Sequence, residues 1–423
     1  MQNFINKIKI FFQDHNLRRR VIVTLGILVI FRLLATIPVP GVDAFRLSGL
    51  LASNQFLGLL NVFSGGGLSN LSIIMLGVGP YITGSIIMQL LTIMSPKLKA
   101  MYQEEGEAGR MKFAQYSRII TVPLAIIQAF SFIILLQRQE VLSSFSPFQF
   151  FVNILMITAG SMLLMWIGEL VSEFGIGNGI SLIIFSGIVS QLPSTLGQAI
   201  FSFDISNLPT YIGFAVATVA MIVAVVIITE AERPIPVTYA KRVRGQKVYG
   251  GISTYIPLRL NQAGVIPIIF ALSILLFPQM IFNFIATSKI AFLQSFASFG
   301  LNFVSNQLFY GITYFLLVFI FTYFYTAVTF DPDSISTNLQ KNGAFIPGVR
   351  PGQPTSEHIA KILTRLTLFG ALFLGVIAVM PLIMKAVTGI ASLAIGGTAL
   401  LIVVSVVIDL IKKVDAQVSL REY

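Results

Sequence analysis

The side chains that carry most enzyme chemistry are scarce in this chain, and their spacing suits none of the usual reactions. None of its 423 residues is cysteine, which removes disulfides, iron–sulfur clusters and thiol nucleophiles. The two histidines, His15 and His358, lie in polar segments far apart in sequence. They share no ligand spacing, so no metal and no cofactor is expected. Carboxylates fall outside the apolar runs, apart from Asp409 at the end of the last one. Glu104, Glu105 and Glu107 form a mixed-charge stretch with Arg110 and Lys112, Glu169 and Glu173 read as part of a short cytosolic turn, and Glu230 and Glu232 flank an apolar run. Acid–base or proton-coupled chemistry inside a membrane needs ionisable groups within those runs. Only Arg32 lies inside one, near enough to its end to pair or snorkel, while Asp409 and Lys412 close the last run. Gln89 and Gln128 are polar side chains within runs, of the kind that glue helices together. Gly175-Ile-Gly177-Asn-Gly179 lacks the preceding strand that a nucleotide-binding glycine motif requires, and reads as a tight helix start at the membrane surface. In place of polar chemistry there are aliphatic pairs. Val78 with Ile82, and Ile180 with Ile184, stand four apart and so share a helix face. No enzyme activity is expected.

The elements that position these residues follow from composition. The chain is 55% hydrophobic and 11% charged, with mean hydropathy +0.86; a soluble domain carries about 25% charged residues. Ten apolar runs approach the roughly 20 residues that cross a bilayer: 21–37, 71–94, 119–136, 150–167, 180–191, 211–229, 263–284, 308–329, 366–384 and 395–410. Ten crossings put both termini on one side. Segments 7–20, 97–118, 233–259, 341–365 and 412–421 then hold twenty-three Lys and Arg, against four on the other side (Arg46, Arg138, Lys289 and Lys385). That asymmetry predicts cytosolic termini. Residues 1–20 are basic, with Phe4, Ile5, Ile8, Phe11 and Phe12 at helical spacing, and read as an amphipathic helix at the interface with no cleavable leader.

The expected fold is an all-α polytopic membrane protein of ten transmembrane helices in two inverted halves of five. The halves are 21–191 and 211–410, joined by an external hinge at 192–210 and followed by a cytosolic tail, 411–423. Two long basic loops, 230–262 and 330–364, read as docking platforms for a large, partly anionic partner. One stretch breaks the pattern. An apolar run at 57–63 is cut off by Ser64-Gly65-Gly66-Gly67, and the run 71–94 follows. A half-helix beside a spanning helix is tolerated in lipid only where protein buries it or where it lines a cavity. It therefore points to a pathway through the membrane. A secondary transporter built from inverted repeats is the alternative, but it predicts a polar midplane site that the runs do not contain.

Eight stretches carry a family resemblance: IPVPGV at 37–42, VFSGGGLSNLSI at 62–73, GPYITGSIIMQLL at 79–91, GIGNGISLIIFSGIV at 175–189, YAKRVRGQKVYGG at 239–251, STYIPLRLNQAGVIPIIFA at 253–271, NGAFIPGVRPG at 342–352 and GGTALLIVV at 396–404. Together and in this order they resemble the SecY/Sec61 family of protein-conducting channels. The resemblance implies a non-enzymatic pore for secretory polypeptides in a bacterial plasma membrane, with a lateral gate that releases transmembrane segments into lipid. It implies a plug at 57–70, including Leu60, Phe63, Gly65, Gly66, Gly67 and Leu68, with the glycines letting the plug move independently of the gate helix. A pore ring would be formed by Val78, Ile82, Ile180, Ile184, Ile269 and Ile402; Val78 stands where related sequences often have Ile. Gln89, Gln128 and Phe277 fall at the lateral gate. Arg242, Arg244 and Arg350 match positions that dock the ribosome and the SecA motor ATPase. The implied partners are the SecE and SecG subunits, SecA, ribosomal RNA and proteins near the exit tunnel, signal sequences, nascent secretory and membrane proteins, and membrane lipids.

Overall fold

An apolar segment in lipid must satisfy its backbone internally, and helix is the local way to do so. The computed structural model describes residues 14–40, 61, 64–138, 141–142, 145–201, 208–239, 242–244, 247–249, 253–286, 290–388 and 396–419. In the first half α1 is His15–Leu34, α2 Gly79–Met94, α3 Pro96–Gln103, α4 Gly106–Arg138, α5 Pro147–Phe174 and α6 Gly179–Phe201. In the second half α7 is Leu208–Glu230, α8 Ile266–Ile285, α9 Ala291–Ser305, α10 Gln307–Thr329, α11 Pro332–Lys341, α12 Gln353–Thr388 and α13 Gly396–Ser419. Each of the ten apolar runs falls at least in part on a helix. Among the described residues, parts of α4, α5, α7, α10 and α12 are long and apolar enough to cross a membrane, while α2, α6 and α8 supply shorter apolar helices.

The second run departs from expectation. Helix α2 begins only at Gly79, and residues 64–78 form successive turns around a single bridging residue. Gly65, Gly66, Leu71 and Gly77 have φ of 67°, 83°, 40° and 59°, left-handed values that no right-handed helix contains. Sixteen residues rise only about 24 Å, so buried irregular chain completes this crossing. The fifth run is longer than expected, because α6 continues through Pro193 to Phe201. Part of the expected hinge 192–210 is therefore helix. Glu169 and Glu173, expected in a turn, stand instead on the last turns of α5. His15 to Arg20, expected in a separate amphipathic element, belong to α1; residues 1–13 lie outside the described ones.

Sequentially adjacent helices pack within each half: α2 on α4, α4 on α5 and α5 on α6, then α8 on α10, α10 on α12 and α12 on α13. The halves meet along two seams, α8 against α2 and α4, and α13 against α6. The two basic loops are not bare connectors. The first contains β1 (Glu232–Tyr239), β2 (Arg242–Arg244), β3 (Lys247–Tyr249) and β4 (Ser253–Arg259), and the second contains β5 (Ala344–Phe345). They join in an antiparallel sheet of order β4-β1-β5, with β2 and β3 paired separately. Strand β1 tolerates Pro234 and Pro236 because β5 pairs only with Thr238 and Tyr239, leaving the proline-bearing stretch an edge on that side. Ile235, Val237, Leu258, Ala344, Ile346, Ile359 and Ile362 form a small core beneath the sheet.

Candidate functional site

Helix periodicity decides which side chains share a face, but packing decides what that face meets. Val78 at the start of α2, Ile82 on α2, Ile184 on α6, Ile269 on α8 and Ile402 on α13 all belong to one buried cluster. None exceeds 6% exposure. Ile180 is half-buried and packs against the same cluster. Four helices from both halves thus bring together aliphatic side chains separated by up to more than three hundred positions. Among the described residues, the buried polar side chains are hydroxyls and amides; none is Asp, Glu, Lys, Arg or His.

Beside this cluster lies the glycine turn. The turn is wedged between α1 and α6: a Cβ on Gly65 would stand 2.2 Å from the Phe31 ring, and one on Gly187 would stand 2.0 Å from the Gly65 Cα. Glycine is required at Gly65 twice over, for the left-handed φ and for the close approach. Inside the turn the Gly66 amide donates to the Asn61 carbonyl at 2.9 Å and the Leu68 amide to Ser64 Oγ at 3.0 Å. Arg32 Nη1 donates to the Gly65 carbonyl at 3.4 Å, so the lone cation of the first run pairs with this turn. Leu68 is fully buried; Leu60 and Phe63 lie outside the described residues. The following segment rests on α5, where a Cβ on Gly160 would meet the Ile73 carbonyl at 2.2 Å and Ser161 Oγ donates to the Gly77 carbonyl at 2.9 Å.

Gln89 and Gln128 lie on α2 and α4, the helices that α8 packs against. Gln128 is 9% exposed and reaches within 4.0 Å of where a Cβ on Gly79 would stand. Gln89 Oε1 is buried without a hydrogen-bond partner among the described residues. The Phe277 side chain lies outside them. Away from the cluster Gln103 Nε2, on α3, donates to the Val328 carbonyl on α10 at 3.1 Å, bridging the halves. A cavity of about 860 Å³ opens there, lined by residues including Lys99, Arg110, Asp331 and Lys341.

Arg350 is exposed in the turn between β5 and α12. Gly348 and Gly352, at φ 83° and 95°, shape that turn. Thr355 Oγ1 donates to the Arg350 carbonyl at 2.8 Å and Ser336 Oγ to the Gly352 carbonyl at 2.6 Å. The arginine is therefore presented from a braced backbone. Arg242 and Arg244 are the two ends of β2, paired with Tyr249 and Lys247; their side chains lie outside the described residues. Gly175-Ile-Gly177-Asn-Gly179 does start a helix tightly. Asn178 Oδ1 accepts from the Ile180 and Ser181 amides at 3.1 and 3.3 Å, satisfying first-turn donors as a cap does. Sequence reasoning passed over Phe31, Gly160, Ser161 and Gly187. The signal available for the last three was a small residue in the middle of an apolar run, which permits close backbone approach.

A family profile described as SecY matches residues 72–411. The chain belongs to the SecY family. It is 40% identical to the protein translocase subunit SecY of Mycobacterium tuberculosis, covering 96% of both chains. It is 43% identical to that of Thermus thermophilus, covering 97% of this chain and 95% of the other. Among solved structures, a protein-conducting channel aligns with TM-score 0.66 at 20% identity, covering 96% of this chain and 93% of that one. A SecY protein whose plug domain stabilises the closed state of the translocation channel and maintains a membrane seal aligns with TM-score 0.62 at 19% identity and the same coverage. Sec61 in a canine ribosome-channel complex aligns with TM-score 0.61 at 19% identity, again with that coverage. These likenesses show that the fold of SecY-family channels extends over nearly the whole chain.

Proposed function

We propose that this chain is the channel subunit of a bacterial protein translocase. It passes unfolded secretory polypeptides across the plasma membrane and releases transmembrane segments sideways into lipid. The observation that carries this reading is the buried aliphatic cluster drawn from both halves, with Val78, Ile82, Ile180, Ile184, Ile269 and Ile402 as the pore ring. A pore for chains of any sequence must not offer hydrogen bonds that would retain cargo. An aliphatic constriction dewets when empty, which blocks ions, and yields around a passing chain. The seam of α8 with α2 and α4 is the lateral gate, flanked by Gln89, Gln128 and Phe277. Residues 57–70 form the plug.

Driving force comes from outside the chain. The sheet that joins both cytosolic loops presents Arg350, and β2 carries Arg242 and Arg244, for docking the SecA motor and the ribosome. SecE and SecG complete the complex, and both termini are cytosolic. Reconstitution of the three subunits, with SecA, ATP and an unfolded precursor added, is expected to give protease-protected precursor. Uptake of a small solute without any movement of precursor would instead favour a transporter.

A narrower expectation concerns the braced turn. Arg350→Glu replaces an exposed cation with an anion while leaving the glycine-shaped backbone intact. Motor-driven translocation is expected to fall by at least about tenfold, the equivalent of losing one charge-assisted contact, with membrane insertion of the variant unchanged. Unaltered translocation would remove Arg350 from the docking surface.

A further inference from the structure

Helix α9 is divided lengthwise into three faces. Phe292, Phe296, Phe299 and Phe303 stand four, three and four positions apart, a spacing that aligns them in one stripe. All four are exposed, Phe292 and Phe299 at 76% and 72%. Gln294, Ser295, Ser298 and Asn302 form an exposed polar face beside them. Buried Ala297 and Gly300 belong to the third face, which packs on α8: a Cβ on Gly300 would lie 2.6 Å from the Phe282 ring. We propose that α9 is an interfacial helix whose phenylalanine stripe lies in the lipid leaflet remote from the basic loops, holding the end of α8 at a set depth.

Connectivity places α9 at the membrane boundary. The sheet joins the loop before α8 to the loop after α10, so α9 links the opposite ends of those two helices. Asn306 is at once the C-cap of α9 and the N-cap of α10, where its Oδ1 accepts from the Leu308 amide at 3.1 Å. With no other residue between the two helices, α9 stays at the level where the apolar span begins.

Three observations choose lipid over a protein partner. The stripe is continuous with the apolar surface of the neighbouring spans. Phe303 stacks on Phe309 of α10 with ring centroids 5.0 Å apart, and Phe296 stands edge-on to Phe282 of α8 at 5.8 Å. Ile281, Leu308 and Ile312 are exposed on the same two helices. Next, α9 contains no Asp, Glu, Lys or Arg that would orient a protein partner by charge. Finally, its exposed side chains separate into an apolar and a polar stripe, as a helix lying between hydrocarbon and water requires. The contact with Phe282 extends the hold to α8. Pro278 lies inside α8 and removes a backbone hydrogen bond there, so the stretch beyond it is positioned by α9 as well as by the rest of its own helix.

The chain has no cysteine, so one introduced thiol reports one of its positions. F299C and Q294C are labelled with the fluorophore NBD in the complete complex, its other subunits free of cysteine, in nanodiscs of phosphatidylcholine and phosphatidylglycerol. Precursor movement plays no part in the readout, which therefore stands apart from the channel reading. Quenching by nitroxide lipids is expected to place the probe at 299 about 5–10 Å into the leaflet, with loss of the iodide quenching that the probe at 294 retains. Equal iodide quenching at both positions would put the stripe in water, and a probe at 299 shielded from both quenchers would put it under protein. Either result overturns the proposal. Should F299C not assemble, F292C gives the same outcomes. A probe at I281C is expected to shift toward the surface in F292Q/F299Q, which keeps Phe296 and Phe303 on their ring partners. An unmoved probe would overturn the hold on α8.

Discussion

Replacing both Ile82 and Ile184 with asparagine is expected to raise the resting ion conductance of the reconstituted channel by at least about tenfold. Both side chains are buried, at 6% and 0% exposure, in the same cluster although they stand on α2 and α6. Isoleucine offers water no partner there. Each asparagine introduces an amide whose donors and acceptor would go unpaired among aliphatic neighbours. An unpaired amide in such surroundings costs roughly 1–3 kcal/mol, and the least costly remedy is to admit water. Two amides on helices that share the cluster therefore shift it from dry to wet, and each 1.4 kcal/mol is worth about a factor of ten in population. Ile82→Leu with Ile184→Leu conserves volume and apolarity, which cores tolerate at less than about 1.5 kcal/mol, so that variant should remain closed. Single-channel recording in planar bilayers checks both. A silent recording from a folded asparagine variant would place the seal somewhere other than this cluster.

Gly187→Ala carries the second large effect. The added methyl would lie 2.0 Å from the Gly65 Cα and 2.9 Å from its carbonyl carbon. These are backbone atoms, which cannot rotate away as a side-chain tip does. The glycine turn or α6 must shift, and overpacking of this kind typically costs about 1–3 kcal/mol. A loosened turn also weakens the packing of α1 and α6 beside the aliphatic cluster, so resting leak should appear along with a lower thermal midpoint. Gly213→Ala on α7 is the matched control, because nothing lies within 4 Å of its added methyl. Thermal unfolding of the purified complex and a vesicle leak assay give both readouts. Equal midpoints for the two variants would mean that α6 and the turn separate freely, against the wedge described above.

Much of the membrane architecture could be read from the chain itself, because hydrophobic length and backbone satisfaction are local requirements. Most of the apolar length became helix, since lipid leaves its peptide groups no other local partner. The break after the short run 57–63 was visible as Ser64-Gly65-Gly66-Gly67, because a run of glycines marks backbone that departs from a helix. Its extent was not visible. Leu71, Ile74 and Met75 look like spanning residues by hydropathy, yet they sit in turns and are buried, since hydropathy registers burial without reporting conformation. The sheet between the two basic loops was hidden for a related reason. Pro234 and Pro236 argue against strand when read singly, and only β5, arriving from a loop about a hundred residues later, shows which edge of β1 they leave unpaired.

The aliphatic cluster is the clearest division between the two levels. Spacing along the chain put Val78 with Ile82, and Ile180 with Ile184, on shared helix faces, because 3.6 residues per turn is a property of one helix. Ile269 and Ile402 were named only through family resemblance, since no periodicity relates a residue on α2 to one on α13. Their meeting in one cluster depends on two seams between the halves. Arg32 shows the same limit: its charge inside an apolar run called for a partner, and the partner is a carbonyl thirty-three positions away that carries no signature in sequence. What this sequence determined by itself is the set of helices and the apolar character of their faces, because local hydrogen bonding and solvation set both. Which faces enclose the central cluster, and what holds the glycine turn beside it, was decided by tertiary packing, because contact between distant segments depends on how whole helices fit together.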